Sequence, residues 1–116
     1  MQHLTRTDDF TIEEINEILD DAKKFSDGAF DRILQDKLII TLFFENSTRT
    51  KSSFEIAAKR LGAEIVHLDV AQSSTKKGET LVDTAMNLDA MGPHAIIVRH
   101  KNSGVPKILS NHTKAS

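Results

Sequence analysis

Ile12, Ile15, Leu19, Ala22 and Phe25 recur at helical spacing, and Glu13, Glu14, Glu17 and Asp20 occupy the opposite side. This pattern predicts a first helix. Thr11 and Glu14 are spaced as a capping box, Phe10 is placed to staple onto Ile15, and Ser26-Asp27-Gly28 ends the helix. Residues 38–44 are apolar except for Thr41 and show no alternation, as expected of a strand covered on both faces. A second helix from about Thr48 directs Phe54, Ala57, Ala58 and Leu61 inward, with Gly62 as its left-handed cap. Residues 64–70 read as a second strand. A third helix from about Gly78 carries Leu81, Ala85, Leu88 and Met91 on one stripe until Gly92-Pro93. Residues 95–99 read as a third strand. Pro106 then suits the first position of a short last helix holding Ile108 and Leu109.

The predicted order, α-β-α-β-α-β-α, implies an α/β fold with three layers, αβα, around a parallel sheet joined by helical crossovers. Three strands are expected within the chain and a fourth beyond its end. In such sheets ligands gather outside the carboxyl ends of the strands. The loops predicted there are 45–47, 71–77 and 100–104.

Composition narrows the chemistry. A chain of 116 residues, 39% hydrophobic and 28% charged, suits one globular domain and leaves no room for a two-domain enzyme. Fifteen Lys and Arg against 17 Asp and Glu give a net charge of −2, so there is no general attraction to nucleic acid or to an anionic membrane. Any anion site must come from local placement of charge. Cysteine is absent, which excludes disulfides, a thiolate nucleophile and cysteine-bound metal. The apolar run at 38–44 is too short to span a membrane, and the polar start lacks a signal-peptide pattern, so the expected compartment is cytoplasmic.

The polar loops hold the candidate chemistry. Ser47-Thr48-Arg49-Thr50 falls where a buried strand turns into a helix. Free N–H groups, the helix dipole, three hydroxyls and a guanidinium make an anion cradle there without glycines. A plain Ser/Thr cap followed by a surface arginine would look the same. Ser73-Ser74-Thr75-Lys76-Lys77 reads either as a solvated loop or as a lid bringing an ammonium to the anion. Arg99 closes a buried strand on the ligand side and needs an internal ion pair or a ligand. The five histidines (His3, His67, His94, His100 and His112) lack metal-ligand spacing and read as structural or solvent-facing. Neither Walker nor Gly-x-Gly-x-x-Gly spacing occurs, which disfavours a nucleotide and points to a small phosphate compound.

Phe43-Phe44-Glu45-Asn46-Ser47-Thr48-Arg49-Thr50 with Ser53-Phe54-Glu55 resembles the carbamoyl-phosphate signature of the aspartate and ornithine carbamoyltransferases. Ser73, Lys76-Lys77-Gly78-Glu79-Thr80 and Asp83-Thr84 resemble the loop these enzymes lend to a neighbouring subunit. Arg99-His100 after a strand is a third match, and residues 10–25 resemble the family's opening helix. Lys77-Gly78-Glu79 and Arg99-His100 are closer to the aspartate branch than to the ornithine branch. A non-catalytic phosphate-binding or interaction remnant of the same fold is a further alternative.

The resemblance implies transfer of the carbamoyl group of carbamoyl phosphate to the amine of L-aspartate, an early step of pyrimidine synthesis, with no metal or organic cofactor. It assigns Ser47, Thr48, Arg49 and Thr50 to the phosphate, and Thr50 and Arg99 to the carbonyl oxygen. Ser73 and Lys77 would arrive from an adjacent chain of a homo-oligomer, a trimer by family default. Glu45 would orient a catalytic arginine and Glu79 would help close the domains. It also implies that residues 1–116 are an incomplete carbamoyl-phosphate-binding domain, inactive alone, with the aspartate-binding domain and its contacts outside this chain.

Overall fold

Leu38–Phe43 forms β1, the middle strand of a parallel sheet ordered β2-β1-β3, with β2 at Glu64–Asp69 and β3 at Ala95–Arg99. The computed structural model describes residues 3–28, 31–70 and 80–116. Its helices are α1 (Ile12–Ser26), α2 (Thr48–Arg60), α3 (Leu81–Ala90) and α4 (Val105–Ser110), after a 3-10 turn at Thr7–Asp9 that the sequence reading did not anticipate. The architecture is the expected αβα arrangement around parallel strands.

Alternation along β1 sorts its side chains to two faces. Ile40 and Leu42 pack with Ala85 and Leu88 of α3 and with Val105 and Leu109 of α4. On the other side Ile39 packs with Ala58 of α2 and with Ala63. Both faces of β1 are therefore covered, which is why its apolar run lacks a polar period. Thr41, the run's polar residue, is 0% exposed.

The helix ends follow local chemistry. Thr11 and Glu14 form the expected capping box, and Gly28, at φ 89°, follows the end of α1. Gly62, at φ 91°, ends α2: its N–H reaches Lys59 O (3.1 Å) and the Ala63 N–H reaches Ala58 O (2.9 Å). That is a Schellman closure, and its two alanines also share the α2-side core. α3 starts at Leu81, not near Gly78, because Thr80 and Asp83 make a reciprocal capping box. Pro106 is the second residue of α4, after Val105.

Two expected inward faces differ. Ile12, Ile15 and Leu19 of α1 are exposed, and α1 makes no extensive contact with any described strand or helix. The stripe is real, but the described residues supply nothing to cover it. On α2 only Ala58 is buried; Ala57 is exposed, Leu61 is half-buried and Phe54 is 41% exposed. Met91 of the α3 stripe and Ile108 of α4 are exposed as well. Helical period reports which face is apolar, not whether a partner lies against it.

The outer edge of β3 is already engaged. The Ser116 N–H donates to His94 O (3.1 Å), and the Ile96 N–H donates to Ser116 O (2.9 Å). The two bonds have the pattern of one step of a parallel ladder.

Candidate functional site

The connection after β1 leads to α2 on one face of the sheet, and the connection after β3 leads to α4 on the other. Two adjacent parallel strands whose connections part in this way leave a crevice at their carboxyl ends. The Phe44 N–H donates to Arg99 O (2.9 Å) and holds the strand ends together. Just beyond, Arg99 Nε lies 3.4 Å from Glu45 Oε2, and the two side chains are 44% and 41% exposed. Arg99 is thus both partnered and reachable from solvent. The two sequence readings of it, internal pair and ligand contact, are compatible.

Ser47 is the N-cap of α2, yet its side chain does not cap the helix. Its hydroxyl donates instead to Thr50 Oγ1 at 2.9 Å, which leaves the Thr50 proton to be given elsewhere. The first helical bond runs from the Lys51 N–H to Ser47 O (3.0 Å). Among the described residues the N–H groups of Thr48, Arg49 and Thr50 donate to no protein acceptor. A simple Ser/Thr cap would have consumed one of them. Thr48 and Arg49 are exposed, Ser47 and Thr50 half-buried, and Arg49 has no carboxylate partner among the described residues. Amides, dipole and guanidinium therefore present uncompensated positive potential at one turn.

His100 follows Arg99 in the connection after β3, and the cleft it lines includes Glu45 but none of residues 47–50. Its ring meets Phe44 edge-on with centroids 4.6 Å apart, and its Nδ1 accepts the Asn102 N–H at 2.9 Å. An accepting Nδ1 puts the ring proton of the neutral imidazole on Nε2. Glu45, Arg99, His100 and Asn102 line this open cleft together with Lys101 and Ser103. No three His, Asp or Glu side chains among the described residues converge as a metal would require. Ser73, Lys77 and Glu79 lie outside the described residues.

Sequence reasoning treated His67 as structural or solvent-facing without finding its partners. His67 sits opposite Thr41 in the β1–β2 register, with Nδ1 2.6 Å from Thr41 Oγ1 and Nε2 3.2 Å from Glu55 Oε2. The signal was present: Thr41 interrupts an apolar run, and a buried hydroxyl needs a partner.

The sequence profile described as "Aspartate/ornithine carbamoyltransferase, carbamoyl-P binding domain" matches residues 2–116. The chain is 86% identical over 116 residues to an aspartate carbamoyltransferase catalytic subunit of Sulfurimonas denitrificans, covering all of this chain but 40% of that one. Among solved structures, the anabolic ornithine carbamoyltransferase of Campylobacter jejuni superposes with TM-score 0.85 at 30% identity, over 99% of this chain and 37% of that one. Aspartate transcarbamoylase of Trypanosoma cruzi, solved with carbamoyl phosphate and aspartate, gives TM-score 0.80 at 30% identity, over 98% of this chain and 39% of that one.

Proposed function

Since the chain belongs to the aspartate/ornithine carbamoyltransferase family, we propose that it is the carbamoyl-phosphate-binding portion of an aspartate carbamoyltransferase. The observation that carries this reading is the turn at Ser47–Thr50, whose amides and arginine find no protein acceptor or carboxylate among the described residues and whose hydroxyls are paired. The aspartate branch rests on the 86% identity, since the fold is equally close to ornithine enzymes.

In the proposed reaction the amine of L-aspartate forms a bond to the carbamoyl carbon while the carbon–oxygen bond to phosphate breaks. Phosphate departs with that electron pair and takes up the proton that the attacking amine gives up, leaving as hydrogen phosphate. Ser47, Thr48, Arg49 and Thr50 take the phosphate oxygens through N–H, hydroxyl and guanidinium groups, where charge grows as the bond breaks. Thr50 and Arg99 face the carbonyl oxygen. Glu45 steadies Arg99 through Nε, which suits an orienting role better than that of a base. Ser73 and Lys77 would come from a neighbouring subunit of a homotrimer, Lys77 countering charge on both substrates, and Glu79 would assist closure.

The 40% share of the relative's length, and the uncovered stripe of α1, support an aspartate-binding domain outside these residues. No helix among the described residues is long and apolar enough to cross a membrane, and a cysteine-free chain suits the cytoplasm we assign to it.

The direct test is Arg49→Ala in the full-length protein. Loss of a main charge-stabilising donor is expected to lower turnover by about 100-fold or more. Near-normal turnover would refute the assignment. Supplying L-ornithine in place of L-aspartate in the same assay decides the branch.

A further inference from the structure

The half of α2 nearest the anion turn has no fully buried residue. The helix's buried residue, Ala58, lies towards the far end, and the residues before it are half-buried or exposed. Two polar contacts tie the near half to β2. Lys51 Nζ reaches Asp69 Oδ2 at 3.2 Å and Oδ1 at 3.3 Å, with the lysine side chain 24% exposed. One turn on, Glu55 Oε2 lies 3.2 Å from His67 Nε2, within ion-pair range though outside hydrogen-bond geometry. Lys59 braces the same carboxylate at 3.1 Å.

The spacing of these contacts is matched. Four residues of helix advance about 6 Å, and two residues of strand advance about 6.6 Å. Residues 51 and 55 of α2 therefore stand level with residues 69 and 67 of β2, the helix running against the strand. Sliding α2 by one residue along its axis would break both contacts together. The second contact does not end at the edge strand, because His67 Nδ1 continues to Thr41 Oγ1 at 2.6 Å, in the buried middle of the sheet.

We infer that Lys51–Asp69 and Glu55–His67–Thr41 form a two-rung ladder that sets the height of the Ser47–Thr50 turn above the carboxyl edge of the sheet. These are positioning residues: none needs to touch the anion. The inference rests on the phosphate-binding reading of that turn. Displacing a binding group by even about 1 Å is costly for a site built from fixed donors.

The test uses sign. In the full-length protein, Asp69→Asn and Glu55→Gln each remove one negative charge near the anion turn while keeping side-chain shape. If the carboxylates acted only through their field, either change would tighten phosphate binding. If they position the turn, either change loosens it. The expected result is a rise of about two- to fivefold in the Kd for inorganic phosphate and in KM for carbamoyl phosphate, the scale of a partly exposed ion pair. KM for aspartate is expected to stay near its parent value. Exchanging the first rung, Lys51→Asp with Asp69→Lys, is expected to recover much of the loss, and it serves as the deciding variant should an isostere fail to fold. Unchanged or tighter phosphate binding in folded variants, whatever their melting temperature, would overturn the ladder and leave the phosphate reading intact. A parent protein that binds neither phosphate nor carbamoyl phosphate would overturn both.

Discussion

Glu55 is the residue at which α2 meets β2, and its acid–base behaviour follows from its partners. The hydrogen bond from Lys59, and after it the neighbouring His67 ring, hold the Glu55 carboxyl below the usual glutamate range. In the unfolded chain those partners are lost and the ordinary value returns. The unfolded state then binds more protons as pH falls, so the contribution is complete above the ordinary glutamate range and disappears as pH drops through the folded value. Glu55→Gln is therefore expected to melt below the parent at neutral pH, with the gap closing as pH falls below the usual glutamate range. Thermal melts across that range check this; a constant gap would contradict it. Asp8, lowered chiefly by its hydrogen bond from Arg6, adds an acid dependence that the variant retains. At this scale the sequence was informative where chemistry is local. Ser47, Thr48, Arg49 and Thr50 could be picked out because strand end and helix start are both written nearby. The Glu45–Arg99 and Thr41–His67 contacts join residues far apart in the chain, and no local pattern encodes the partner.

Helices and strands repeat this division. The capping box of α1 and the glycine after α2 were legible because both are matters of a few adjacent residues. Gly62 offers a sharp check. It holds φ 91°, and a Cβ there would stand 3.2 Å from Arg32 Cβ and 3.3 Å from Gln35 Cα. Gly62→Ala is expected to cost about 1–2 kcal/mol from backbone conformation, with crowding added. Denaturant unfolding measures it, and a neutral result would mean that the turn relaxes freely. The start of α3 was less legible: Ser, Thr and Gly crowd the approach, and several residues there suit a cap before Thr80. The exposure of Phe54 and of the α1 stripe was not legible at all, since burial depends on what the rest of the molecule provides.

For the molecule as a whole, alternating apolar segments and helical periods sufficed for parallel αβα layering. They did not yield the order β2-β1-β3, which arises from the register of long-range pairs. The side chains of β3 are half-buried, and its outer edge is bonded at Ser116. If residues 1–116 bind carbamoyl phosphate only as part of a larger domain, thermal-shift titration separates the cases. The full-length protein is expected to gain several degrees with saturating carbamoyl phosphate, following the linkage of binding to stability. The 116-residue chain is expected to gain little. Tight binding by the short chain would instead favour a phosphate sensor.

The parting of the chain after β1 and β3 bears on how such a protein changes over time. The polar groups facing the crevice sit on two stretches that leave towards opposite layers, while Ile40, Leu42 and Leu88 are buried in the interior. Ligand preference and foldability are thereby inherited on separate letters of the sequence. Relatives can drift in what they recognise without first loosening what keeps them folded.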